Sequence, residues 1–348
     1  MSIFARYLSI SEQHNIMKRK IIKQGHSTLT ITLPTEWVKK LNLKAGDELD
    51  LQEKESTLVL NGHERFKDKS VTINIDKFTI PLLWRYFEGA YRAGATEIKL
   101  TYDPNTKEYE DAYHYYTTQF DYAELGEKIP PKPAIAMIQG VVDRFIGMGI
   151  IETGKDFCLI KEMGEPTTKE FDNSLRRIFL IIQQMFERVN EVIQKDENGH
   201  VTLCKELHAI DLNIDRLVDY CCRIMNRVST SFSEEKKMLL FSTLFTLELL
   251  GDEFKYIGKH IALSKKSLKE IEPLLQSVRE HFDIYYHLFY KFDRESTIVF
   301  GKKDVEIYKQ HFKIKDKLKD HSRSIARHMM MISKFTLVLS ELRIQMEF

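Results

Sequence analysis

A chain of 348 residues with a net charge of +1 holds enough material for two or three domains and excludes a uniformly basic nucleic-acid coat, so any DNA contact must come from a local patch. Cys158, Cys204, Cys221 and Cys222 show neither a C-x-x-C pair nor a disulfide-dense pattern, which reads as a reduced, cytoplasmic protein with buried thiols. No apolar run is long and uncharged enough to span a bilayer, and no signal peptide is visible.

Residues 1–16 have no periodicity and read as a flexible extension; Met17 would itself make a natural start. In residues 17–62, Leu29, Ile31 and Leu33 alternate with Thr28, Thr30 and Thr32, the period of a half-buried strand. Pro34 suits the first turn of a short helix over residues 35–41, and Lys44-Ala45-Gly46-Asp47 is a turn. Leu49/Leu51 and Leu58/Leu60 then mark two further strands. A unit this small cannot bury a core alone, so a homodimer is expected. Lys18, Arg19, Lys20 and Lys23 precede the donor-rich turn Gly25-His26-Ser27-Thr28. By composition alone this is a solvated basic strand start. The run GHSTLTITLPTEWVKKLNLKAGDELDL, however, resembles the SpoVT/AbrB-type DNA-binding domain. That resemblance implies a swapped-hairpin β-barrel shared by two chains, with Lys18, Arg19, Lys20 and Lys23 on DNA phosphates and His26, Ser27 and Thr28 as positioning contacts.

After a polar linker at 63–69, residues 70–163 read as an α/β connector domain: strands at 71–76, 97–102, 150–152 and 157–161, with helices at 81–94 and 134–148. The first strand, helix and second strand suggest a βαβ-like unit. The stretch 103–133 is acidic and tyrosine-rich, an insertion or partner surface. Neither a phosphate loop nor a nucleophile elbow is present.

Residues 169–348 read as helices throughout: 173–195, 203–228 and 233–262, with Ser233 as N-cap, then a looser copy at 268–293, 304–321 and 324–348. The apolar run 238–252 carries Glu248 and Asp252 one turn apart, about 40° apart around the helix, with Phe241, Phe245 and Leu249 expected on the same face. Asp211 and Asp215 can flank the core from the preceding helix; the apolar stripe places Asp219 almost opposite. Buried carboxylates need cations, either Lys/Arg partners or a metal. The helical part resembles PhoU, built of two three-helix repeats (about 169–263 and 268–348) with an E-x-x-x-D motif. Glu248-Leu249-Leu250-Gly251-Asp252 falls at the matching point, and Glu341 with Gln345 replaces it in the second repeat. That resemblance implies a metal ion (iron, manganese, magnesium or zinc) on Glu248, Asp252, Asp211 and Asp215, in the first repeat.

The order of AbrB-like domain, connector and PhoU-like bundle resembles archaeal phosphate-uptake regulators. It implies a dimeric DNA-binding regulator of phosphate homeostasis, with phosphate transporter or signalling proteins as partners. A signalling adaptor that uses the barrel only to dimerise is the alternative. An enzyme is not expected: no Ser, Cys or His nucleophile stands beside a base.

Overall fold

The computed structural model describes residues 18–25, 28–54, 57–61, 68–105, 133–195, 201–228 and 232–348. The expected extension at 1–16 and most of the acidic stretch at 103–133 lie outside them. The chain divides into two units, residues 1–67 and 68–348. In the first, β1 (Ile22–Gln24) pairs antiparallel with β2 (Thr28–Thr30), and the chain leaves β1 through Gly25 at φ +74°. The strand expected through Leu33 ends at Thr30. Helix α1 (Thr35–Lys40) starts after Pro34 and stops where Asn42 turns left-handed at φ 53°. There the Leu43 N–H donates to the Val38 carbonyl (3.0 Å) and the Asn42 N–H to the Lys39 carbonyl (3.1 Å), which satisfies the last turn. The turn at 44–47 closes with the Lys44 N–H on Asp47 Oδ2 (2.6 Å), and β3 (Asp50–Lys54) pairs with β4 (Thr57–Asn61). The two hairpins form separate two-stranded sheets.

In the second unit, β5 (Ser70–Asn74) and β6 (Glu97–Thr101) are parallel, joined by α2 (Ile80–Arg92), which is the expected βαβ unit. β7 (Met148–Thr153) and β8 (Phe157–Glu162) complete a sheet of order β5-β6-β8-β7. Ile98, Leu100, Cys158 and Ile160 alternate inward and share a core with Leu83, Phe87 and Tyr91 of α2 and Met137, Ile138 and Val141 of α3 (Ala134–Val142). Helix α3 is shorter than the expected 134–148, because Gly147 turns left-handed at φ +80° and Met148 already pairs in β7.

Six long helices follow: α4 (Thr168–Lys195), α5 (Val201–Arg227), α6 (Glu234–Leu263), α7 (Glu272–Tyr290), α8 (Arg294–Ile314) and α9 (Asp320–Gln345). Ser233 caps α6 as expected, its hydroxyl accepting from the Lys236 N–H (3.1 Å). Helix α8 lies about ten residues earlier than the 304–321 expected from apolar spacing. Asp293 is its cap, accepting from the Ser296 N–H (2.8 Å). Only Phe300 and Ile307 of α8 are buried, so its apolar periodicity is too weak to locate it. The first three helices pack as one hairpin series and the last three as another. The series meet through α4 against α7 and α6 against α9, with α5 and α8 outside. Phe179 of α4 sits among Phe282, Tyr285, Tyr286 and Phe289 of α7.

The boundary expected near 163–169 lies inside this one unit, since α2 docks on α5. The turn after α2 closes on its last carbonyls, with the Ala93, Ala95 and Gly94 N–H groups donating to Gly89, Ala90 and Tyr91 (3.1, 3.0 and 2.9 Å). α5 adds side-chain donors: Arg223 Nη1 to the Tyr91 carbonyl (2.8 Å) and Asn226 Nδ2 to the Arg92 carbonyl (2.8 Å). The Arg223 guanidinium is buried, stacked 4.6 Å from the Tyr91 ring centroid and paired with Glu162 of β8 at 2.6 Å. Arg223→Ala leaves the buried Glu162 carboxylate with Arg227 alone, at 3.3 Å. It should cost about 3 kcal/mol of unfolding free energy, the low end for a broken buried pair, read as a lowered denaturant midpoint.

Candidate functional sites

Lys18, Arg19, Lys20 and Lys23 are all exposed, the last in β1 and the others immediately before it. Thr28 opens β2 opposite Gln24 and is also exposed. His26 and Ser27 lie outside the described residues. The hairpin thus presents a basic strip to solvent. Among the residues of this unit whose side-chain burial is described none is buried, and Ile22, Leu29, Leu51 and Leu58 are each more than half exposed.

The carboxylates of the helical part do come together, though with company the sequence did not announce. Helices α5 and α6 pack side by side. Gly251 sits between Glu248 and Asp252, and a Cβ there would lie 2.9 Å from Asp211 Oδ1 and 2.9 Å from Ile214 Cδ1, so glycine is what lets Asp211 approach. Lys255 Nζ then bridges Asp211 Oδ2 (2.7 Å) and Asp252 Oδ1 (2.5 Å). Asp219, which the apolar stripe places away from the core, is buried: α2 covers that side, and Arg92 Nε meets Asp219 Oδ1 at 2.6 Å. Arg92 also pairs with Glu88 and reaches Glu248 Oε2 at 3.7 Å. Its guanidinium lies 4.7 Å from the Phe245 ring centroid. Phe241 and Leu249, expected beside the carboxylates in the core, are exposed instead. The buried face of α6 runs through Leu240, Leu244, Leu247, Leu250 and Phe254, because α6 packs against α5 and α9 at once.

Carboxylates outnumber cations here, and burial acts on the surplus. Burial pushes the Glu248 carboxyl up to about 7, with Arg92 opposing and Asp252, Glu88 and Asp211 adding to the rise. Burial likewise raises Asp211, against the pull of Lys255, and Asp215 well above its ordinary range, with Asp211 adding to that rise. It raises Asp219 against the pull of Arg92. Two oxygens, Asp211 Oδ1 and Glu248 Oε2, are buried without a hydrogen-bond donor.

For the metal that the PhoU resemblance implies, the donor chemistry fits: hard carboxylate oxygens, two of them lacking a donor. Convergence is what the arrangement lacks. Among the described residues no three His, Cys, Asp or Glu side chains stand close enough together to hold an ion. Lys255 occupies the place between Asp211 and Asp252, so a metal would enter by displacing its ammonium. Glu341, the remnant of the motif in the second series, is exposed on α9.

The raised Glu248 carboxyl sets the sign of a pH dependence. Below about 4.5 folded and unfolded chains both hold the proton. Between about 4.5 and about 7 the unfolded chain releases it first, so stability falls as pH rises. Glu248→Gln should remove on the order of 2 kcal/mol of that decline, allowing for its partial exposure. Urea unfolding of both proteins near pH 5 and near pH 8, in chelator, measures it.

Residues 22–63 match the family model for MazE, the bacterial antitoxin of antidote-toxin recognition. The match takes in both hairpins, α1 and the turn between them. No curated protein and no solved structure matched the chain. Among the described residues no helix is long and apolar enough to cross a membrane. The match supports an N-terminal domain of the AbrB/MazE kind, followed by a sheet-bearing and largely helical remainder.

Proposed function

We propose that the chain is a DNA-binding transcriptional regulator that dimerises through its N-terminal unit. The observation that carries this reading is the exposed basic strip at Lys18, Arg19, Lys20 and Lys23, which runs into the matched hairpin. Ammonium and guanidinium groups in such a strip bind phosphates without reading sequence. Dimerisation draws support from the two unconnected hairpins and their exposed apolar side chains. The bundle is then the sensing or partner-contacting part. Its assignment to phosphate homeostasis, with transporter or signalling proteins as partners, rests on the resemblance of Glu248–Asp252 and of the domain order.

A second reading has its own observation. The matched model is named for recognition of a toxin, that is, of a protein. It favours an adaptor that uses the N-terminal unit to dimerise and to hold a protein partner. Sedimentation of a labelled mixed-sequence duplex with the full chain separates the two. The regulator should bind as a dimer, with an affinity that falls steeply with salt. In the Lys18/Arg19/Lys20/Lys23 quadruple alanine variant the log–log salt slope should flatten by about 0.9 for every phosphate the variant no longer neutralises. No duplex binding by the full chain would leave the adaptor standing, and unchanged affinity and slope in the variant would remove the basic strip from the DNA contact.

Within this proposal the α5–α6 carboxylates take a divalent or ferric ion in place of the Lys255 ammonium. Bound metal should stabilise the fold by about 2.7 kcal/mol at a hundredfold excess over its dissociation constant. Glu248→Gln with Asp252→Asn should abolish that gain in Mn²⁺ titrations followed by thermal unfolding. Undiminished metal content in the double variant, by mass spectrometry, would assign the carboxylates to an internal ion-pair network alone.

A further inference from the structure

At one end of the bundle the link between the two helical series (residues 264–268) faces the turn from α8 into α9 (315–319). Between them opens a cavity of about 820 Å³. Its wall carries Lys265, Lys266, Lys317 and Lys319 against two carboxylates, Glu270 and Asp320. Lys266 engages Asp320 at 2.8 Å, and that bond holds the Asp320 carboxyl below its ordinary range. Lys265, Lys317 and Lys319 are exposed, and among the described residues none of the three has a carboxylate within ion-pair distance. In a chain with a net charge of +1 this is a local surplus of positive charge.

The wall is also braced. Leu318 is buried between Lys317 and Lys319. The Ser322 hydroxyl donates to the Lys319 carbonyl (2.7 Å) and accepts from its N–H (3.3 Å). On the opposite side the Ser264 hydroxyl donates to the Lys266 carbonyl (3.1 Å). His321, another wall residue, places Nδ1 3.2 Å from Nδ1 of His260 on α6, so the wall is tied to the α6–α9 packing. One of those nitrogens must carry the hydrogen that the other accepts.

We propose that this cavity binds a multiply charged phosphate-type anion. A metal cation would meet four ammonium groups against two carboxylates, and an apolar ligand would have to desolvate them. An anion with several charges is attracted by all four lysines at once. The volume lies within the range of small-molecule sites, roughly 300–1,000 Å³, and the concave wall favours a compact anion over a duplex. The anion would come either as a free oligophosphate or as the phosphate chain of a nucleotide. The site is separate from the carboxylates and independent of the proposed DNA contact.

Calorimetric titration of the full chain with tripolyphosphate, with ATP and with sulfate at matched ionic strength tests it. Tripolyphosphate should bind about tenfold or more tighter than sulfate, and Lys266→Ala with Lys319→Ala should lose about tenfold. Lys266→Arg with Lys319→Arg should retain binding. So should Lys302→Ala with Lys309→Ala, which removes two exposed charges from α8 outside the cavity wall. ATP binding as tightly as tripolyphosphate assigns the site to a nucleotide's phosphate chain; tripolyphosphate binding alone assigns it to a free oligophosphate. The proposal is overturned if neither phosphate binds more tightly than sulfate, or if the cavity alanine variant binds as wild type does. It is equally overturned if the α8 variant loses as much affinity, or if the cavity variant loses only affinity for duplex DNA.

Discussion

The second unit depends on how one helix ends. The Tyr91 carbonyl of α2 accepts from the Gly94 N–H (2.9 Å) and again from the buried Arg223 guanidinium (2.8 Å), while the Arg92 carbonyl accepts from Asn226 (2.8 Å), so α5 ties down the end of α2. Arg223 could not be buried for that purpose without an anion, and Glu162 at the end of β8 provides it, shared with Arg227. Helix end, guanidinium and carboxylate therefore form one unit that joins sheet to bundle. With α2 held there, Arg92 in its last turn is carried over α5 and meets Asp219. The connector thus supplies one of the cations that the carboxylates of the bundle require.

The α5–α6 seam is a charge-imbalanced interior. Asp211, Asp215, Asp219, Glu248 and Asp252, with Glu88 from α2, gather around Arg92 and Lys255. Desolvation and mutual repulsion raise four of the bundle carboxylates, and two buried oxygens lack donors. An ordinary structural ion-pair network balances its charges, because each unmatched buried ion costs several kcal/mol. Perturbed carboxylates of this kind occur in functional sites and in internal ion-pair networks alike, and uptake of a metal ion here belongs to the proposal above. Lys255 already holds the central position between Asp211 and Asp252. Any entering ion must better two contacts of ordinary salt-bridge length, which sets a threshold for occupancy rather than an open site.

What is legible in the sequence divides along physical lines. Periodicities of two and 3.6 locate the connector strands and the strongly amphipathic α4 and α5. Ser233 marks the start of α6 because a cap acts through its own few neighbours. Helix α8 escapes a search for periodicity because only Phe300 and Ile307 face inward, and its better signal, Asp293, is again a cap. The Glu248–Asp252 spacing is visible, as is the acidic series on α5. The partners are not, because Arg92 arrives from a helix 127 residues away in sequence and Lys255 looks like any solvated lysine in a helix. Asp219 is hidden for the same reason. A one-helix reading of its apolar stripe cannot know that α2 covers the other side.

The N-terminal unit presents the complementary problem. Leu29, Leu51 and Leu58 alternate as core residues should, yet each is exposed by more than half. The antiparallel pairs end at two strands each, which leaves unpaired edges on both hairpins. A pattern written for burial on a surface that remains exposed is what the proposed dimerisation would reconcile. Small domains reach burial by association, because a chain of this length hides too little apolar area to offset its conformational entropy. The basic residues Lys18, Arg19, Lys20 and Lys23 are not part of that pattern. They interrupt it at the start of the first hairpin, and four clustered cations do nothing for a core. Exposed and clustered, they are the groups on which the proposed DNA contact rests.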